Sequence, residues 1–263
     1  MSKPAADLTT NPGASPKRFG PVIERRDGAD FPYYNGRPTL ISGQGWLIVV
    51  AAVIVGFTAL VTLPFAGPIS GFIPAILFAG LPLAALAYVS HGHWKALFRK
   101  PSGRDVGLMV LFALLNVVIT FGVGSIVSIL FGAKANPEAG MLAEASPFAL
   151  AMFYPRTAIQ LLGEELLTIL PFLALLYLFV HKLSWSRTRA VALAWVVTAV
   201  AFGLVHLPTY DWNILQCILI IGTARIVLTL AYIRTKNLLV SAGAHILNDW
   251  ILFTGPLIFA AAA

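Results

Sequence analysis

Charge is scarce in this chain. Asp, Glu, Lys and Arg together make up 11% of 263 residues, where a soluble domain carries about 25%. Hydrophobic residues supply 58%, and mean hydropathy is +0.83. Those values exclude an ordinary soluble enzyme. Cysteine occurs once, as Cys217, which excludes an intramolecular disulfide; a lone cysteine in an apolar run packs as a small hydrophobe. The soluble-protease zinc signature HExxH is absent, as is any repeat of roughly 20–50 residues. Period-two alternation is also missing, which excludes a β-barrel. What the chain has instead is a series of apolar runs, each offering the roughly 20 residues that a spanning helix needs. Lipid offers no partners to backbone N–H and C=O groups, so such runs span as helices. The fold class is all-α: a polytopic helical membrane protein.

Hydropathy places spans at 45–64, 70–90, 106–131, 148–180, 190–207, 213–233 and 238–259. Seven is the expected number. The fourth run is long and contains Pro155 and Pro171, so it reads as a tilted or broken helix, or as a short interfacial piece followed by a span. That last case gives eight. Residues 1–40 are rich in Pro, Gly, Asp and Arg and read as a disordered cytoplasmic tail. No cleavable signal peptide is expected, because the first apolar run starts late and is long enough to span. Residues 41–147 form a three-span scaffold half, and 148–263 form the half that carries the polar chemistry.

Basic residues alternate between loops. The tail (Lys3, Lys17, Arg18, Arg25, Arg26, Arg37) and the loops around Lys95–Arg104, Lys182–Arg189 and Arg234–Lys236 hold 15 of the 18. The opposite loops hold only Lys134. The positive-inside rule therefore puts the N-terminus in the cytoplasm and the C-terminus outside. The net charge of +7 reports topology; no basic face with interleaved aromatics suggests nucleic-acid binding. The expected location is a prokaryotic plasma (inner) membrane, with the lipid bilayer as a standing partner.

Within the spans the ionisable and strongly polar residues are few: Arg156, Glu164, Glu165, His206, Arg225, His245, Asn248 and Asp249. All lie in the second half, and spans one to three read as scaffold. A carboxylate at membrane depth costs roughly 2.5–3.5 kcal/mol on insertion scales and marks a functional candidate. Glu164 and Glu165 are about 100° apart around a helix, so one can face a cavity while the other supports it. His245 shares a helical face with Asn248 and Asp249, three and four residues on, and Phe202 stands four before His206. Imidazoles and carboxylates of this kind either hold a divalent metal or poise a water for attack. The span boundaries create a tension: His206 falls near the outer end of its span, His245 about 10 Å from the inner end of its own at 1.5 Å per residue.

GEELLTILPF, FGLVH and HILND, in that order on successive spans, resemble the three motifs of the CAAX-prenyl endopeptidase and bacteriocin-processing (Abi) family of intramembrane proteases. The similarity covers about residues 157–252. The resemblance implies an intramembrane endopeptidase acting on a membrane-embedded or lipidated peptide, with Glu164, Glu165, His206, His245 and Asp249 as its site. Glu164 matches the water-activating glutamate. His206 and His245 match the histidines that bind a metal or stabilise the oxyanion, and Asp249 matches the last polar position. Asn248, Phe202 and Arg225 are supporting candidates. A divalent metal such as zinc, held by Glu164, His206 and His245, and a metal-free glutamate mechanism both remain open. One departure stands out: the family pattern has Arg four residues after the second glutamate, and here that position is Ile169. Arg225 or Arg156 would have to supply the missing charge from elsewhere. Two alternatives accompany the protease: an inactive member serving as scaffold or immunity factor, favoured by Ile169, and a proton-coupled secondary transporter built from the same Glu, His and Asp residues.

Overall fold

The computed structural model of the chain describes residues 18–25, 27–64 and 67–262. Residues 1–17 and Arg26, part of the expected tail, lie outside the described residues. Among the described residues there is no strand. The helices are α1 (Gly43–Thr62), α2 (Phe72–Val89), α3 (Gly103–Phe131), the short α4 (Pro137–Ala143), α5 (Pro147–Lys182), α6 (Arg187–Leu204), α7 (Ile214–Thr235) and α8 (Leu238–Ala262). Six of them, α1, α2, α3, α5, α6 and α7, are long and apolar enough to cross a bilayer. α8, a continuous helix of 25 residues, occupies the seventh expected span. The protein is an integral membrane protein.

Serine marks where several spans begin. Ser42, Ser102 and Ser146 each accept the N–H of the residue three further on, satisfying a donor that the first turn leaves orphaned. At α3 the cap is reciprocal, Asp105 reaching back to the Ser102 N–H at 2.8 Å. The fourth expected span resolves as one helix. α5 runs unbroken through Pro155 and Pro171 for 36 residues, about 54 Å at 1.5 Å per residue. It is thus far longer than a bilayer core of about 30 Å. α5 is also the central helix: its apolar window is 61% buried, against 17% for α3. It packs on α1, α2, α6 and α8, while α3 packs on α7 and α8 and exposes Val118, Phe121 and Ile129.

The tail is the clearest departure from expectation. Residues 18–25 and 27–41 are packed against the basic ends of the helices, with Phe31, Tyr33, Tyr34 and Ile41 buried in the main apolar cluster. Composition hid this, because the segment's acids are satisfied by bases remote in sequence. Glu24 is fully buried. Its oxygens take hydrogen bonds from Arg187 Nη1 and Nη2 at 2.9 and 2.8 Å and from Lys236 Nζ at 2.5 Å. Asp30 receives Arg187 Nη2 at 2.7 Å, and Arg25 pairs with Asp105 at 2.7 Å. Lys236 adopts a left-handed backbone, φ 49°, which costs a non-glycine residue about 1 kcal/mol. In return its ammonium reaches Glu24 and lies 4.7 Å from the Phe31 ring, with Arg187 5.0 Å away on the same ring.

Burial alone would raise the Glu24 pKa, but hydrogen bonds from Arg187 and then Lys236 override it and hold the carboxyl down at about 2, from 4.5. Burial keeps the Lys236 ammonium below its usual value despite Glu24, so the gain lies mainly on the arginine side. Because the folded pKa is depressed, the stabilisation is complete above pH 4.5 and is lost as pH falls toward 2. Removing one member of a buried pair costs about 3–5 kcal/mol. Glu24→Ala is therefore expected to lower the thermal midpoint in detergent by roughly 6–20 °C. An unchanged midpoint, read by tryptophan fluorescence, would show that the clasp contributes nothing.

Candidate active site

The membrane carboxylates are placed by close helix contacts. Gly163, just before the pair, lies against Phe78 of α2, where an added Cβ would come within 2.5 Å of the ring. At the α6–α7 crossing the contact is tighter. A Cβ on Gly203 would sit 2.4 Å from the carbonyl oxygen of Cys217. That oxygen protrudes because α7 widens there: the N–H of Gly222 bonds the Cys217 carbonyl, five residues back. Such single wide turns are common at functional sites. The crossing seats Phe202 beside α7, with its ring 5.1 Å from the Arg225 guanidinium carbon. Gly203→Ala is expected to force the two helices apart and cost about 1–3 kcal/mol, as overpacking does. The measurement is a denaturation midpoint beside that of Gly255→Ala, where a Cβ meets open space.

Around this crossing four helices bring their polar residues together. Glu165 of α5 is fully buried, and its Oε1 lies 2.6 Å from Arg225 Nη1 of α7 and 3.0 Å from His245 Nδ1 of α8. Arg225 is itself fully buried and donates from Nε to Thr229 Oγ1 at 3.2 Å. Arg225 thus stands where the cation missing at position 169 would act, and Ile169 packs in the apolar core. Arg156, the other cation considered, lies over the Phe153 ring at 5.7 Å. Glu164 turns the other way. Gln160 Nε2 donates to its Oε1 at 3.2 Å, and its Oε2 stands 3.8 Å from His245 Nε2. Asp249 Oδ1 is 3.7 Å from the same nitrogen.

One contributor was missed in the sequence. Asn116 of α3, fully buried, donates from Nδ2 to Asn248 Oδ1 at 3.1 Å, and Asn248 donates to Asp249 Oδ1 at 2.8 Å. A carboxylate only accepts, so the direction of this chain is fixed by its acidic end. Spans one to three are therefore more than scaffold: α3 orients the Asn–Asp pair. An uncharged asparagine in an apolar run was the available signal, and a neutral amide is a weak one beside acids, bases and histidines.

These side chains line one cavity of about 830 Å³, shared by Glu164, Phe202, His206, Arg225, His245 and Asp249. The apparent mismatch in depth between His206 and His245 dissolves here, because both line the cavity and the Phe202 ring lies 4.7 Å from His206 and 6.3 Å from His245. His206 follows the end of α6 and donates from Nδ1 to the Phe202 carbonyl at 2.7 Å. Both histidines consequently have Nδ1 engaged by an acceptor, leaving Nε2 as the working nitrogen. Glu138 of α4 lines the same cavity and a smaller apolar chamber of about 320 Å³ beside Arg156 and Phe153. Burial raises its pKa, Arg156 opposes the rise, and Glu164 and Asp249 add to it. Among the described residues no three His, Cys, Asp or Glu side chains stand close enough together to hold a metal ion. Glu164, His206 and His245 do not form a ligand set as they stand.

The class that fold and site define is a bundle of membrane helices enclosing a carboxylate–imidazole cluster in a cavity. Comparison with known families gives a match: residues 146–251, from the cap of α5 into α8, are similar to the model of Rce1-like type II CAAX prenyl endopeptidases. The matched stretch, less than half of the chain, holds all three motifs that carry the resemblance. No curated protein and no solved structure matches the chain.

Proposed function

We propose that the protein is an intramembrane endopeptidase that hydrolyses a peptide bond in a membrane-associated or lipidated peptide, with Glu164 as the base. The observation that carries this reading is the division of labour between adjacent glutamates. Glu165 is neutralised by Arg225 and spends its Oε1 on His245, whereas Glu164 presents Oε2 to the cavity beside His245 Nε2. A buried cation on one carboxylate leaves the other as the base.

In this mechanism Glu164 Oε2 takes a proton from water as the oxygen attacks the scissile carbonyl carbon. The same proton then passes to the departing amine. Negative charge develops on the carbonyl oxygen and calls for donors fixed in advance. His206 and His245 provide them at Nε2. With Nδ1 of each ring already donating, Nε2 can donate only from the imidazolium form. Glu165, Glu164 and Asp249 around His245 supply the countercharge for that form. Asp249, held by Asn248 and Asn116, keeps the ring from turning. Arg225 is a positioning residue, acting through Glu165. The presence of that cation also favours an active enzyme over an inactive scaffold, the alternative that Ile169 had raised.

The test is product analysis. The purified protein is incubated with farnesylated CAAX-type peptides and with single-span peptides, and fragments are identified by mass spectrometry. Fragments that the wild type makes and Glu164→Gln does not would support the reading; identical products from both would remove it.

A further inference from the structure

The cavity is one-sided. Its lining on α3 runs from Asn116 to Ile129, on α6 from Phe202 onward, on α7 from Gln216 to Leu228, and on α8 from His245 to Phe253. On α3 the set begins near mid-helix and runs toward the end remote from the basic loops, and on α6 it begins only at Phe202 near that end. On α7 it starts at Gln216 near that end, and on α8 it starts about one-quarter of the way along and stops at Phe253. At 1.5 Å per residue, the lining stops about 20 Å short of the basic end of α3 and about 10 Å short of those of α7 and α8. The other half of the bundle is solid: Leu170, Phe172, Leu173, Tyr232 and Ile233 pack there with Phe31 of the clasp. Glu24, Arg187 and Lys236 then seal the basic end with fully paired charges.

At the far end the cavity reaches Lys134, Asn136, Glu138, Thr209 and Tyr210. This rim is built. Lys134 and the side chain of Gln216 exchange two hydrogen bonds, at 2.8 and 2.9 Å, and Asn213 holds the Gly132 carbonyl at 3.2 Å. By the distribution of basic residues, the solid end faces the cytoplasm and the rim faces outward.

We propose that the cavity opens to the non-cytoplasmic side of the membrane, so that its substrate is a peptide presented from the outer aqueous phase or outer leaflet. A lipidated protein held at the cytoplasmic leaflet would have to carry its polar C-terminus across the bilayer to reach Glu164, and desolvating that segment is costly. The substrate class is thus translocated or outward-inserted peptide. This assignment rests on the hydrolase reading for its substrate part and on topology alone for its orientation.

Two measurements separate the parts. Lys134→Cys and Lys182→Cys are made singly. Lys134 and Lys182 are both exposed, and the native Cys217 is buried, so the parent serves as the blank. A membrane-impermeant maleimide is expected to modify Cys at 134 in intact cells and Cys at 182 only after permeabilisation. In the second measurement a farnesylated quenched-fluorescent peptide with a sulfonated fluorophore is added to vesicles carrying the wild type. Right-side-out vesicles should cleave it, and inside-out vesicles should not until detergent is added. Reversed labelling, or cleavage confined to inside-out vesicles, overturns the inference and leaves the hydrolase reading standing. Labelling as expected with no cleavage even in detergent removes the hydrolase reading, and the substrate assignment with it.

Discussion

Glu164→Gln is expected to lose cleavage by about 10²–10⁴-fold, the range that a positioned general base contributes, while folding like the wild type. The substitution keeps shape and the capacity to meet Gln160, and removes only the ability to take a proton. Glu164 is partly open to the cavity, and His245 keeps Glu165 and Asp249 beside it, so the change leaves no buried partner charge stranded. Its neighbour should behave differently. Glu165→Gln strips the countercharge from a fully buried Arg225, and loss of stability accompanies loss of turnover. The pair of variants is compared by turnover in detergent and by denaturation midpoint. Equal stability losses at 164 and 165 would contradict the assignment of separate roles.

The second large effect is at Arg225. Arg225→Met leaves the Glu165 carboxylate buried without its cation, a change worth about 3–5 kcal/mol, and frees Glu165 to perturb His245. Activity should fall to background. Arg225→Lys retains charge but not the planar fork, and is expected to recover only part. The informative variant is the double substitution Ile169→Arg with Arg225→Met. Position 169 lies one turn beyond Glu165, on the same face, so an arginine there can reach the carboxylate from its own helix. Ile169 is fully buried, and crowding there costs about 1–3 kcal/mol. The double variant should nevertheless cleave faster than Arg225→Met alone. No rescue, in a double variant that folds, would mean that Arg225 does more at the site than neutralise Glu165.

Much of this was legible in the chain because lipid makes polar residues conspicuous. Glu164, Glu165, His245 and Asp249 stood out in runs where a charge is expensive, and their helical spacing predicted which could share a face. Arg225 was legible as one of two substitutes for the cation missing at 169; only packing of α6 against α7 through Gly203 decides between it and Arg156. Asn116 escaped because a neutral amide carries little hydropathy signal, and its partner lies 132 residues away. The packed segment of residues 18–25 and 27–41 escaped for a related reason. A stretch rich in Gly, Pro and mixed charge looks solvated until its partners, Arg187 and Lys236, are brought to it by the closed bundle. Membrane depth was misjudged at His206 because the expected span ran on to residue 207, whereas α6 ends at Leu204 and the ring that follows packs on Phe202, itself a neighbour of His245.

The clasp also constrains the order of assembly. Glu24 waits for partners 163 and 212 residues further along the chain. During synthesis its carboxylate therefore stays in water until the α7–α8 turn has been made. Contacts so distant in sequence close late and slowly, making this knot of charge a checkpoint on completion. A nascent bundle stopped before Lys236 would keep its basic end open and its N-terminal arm undocked.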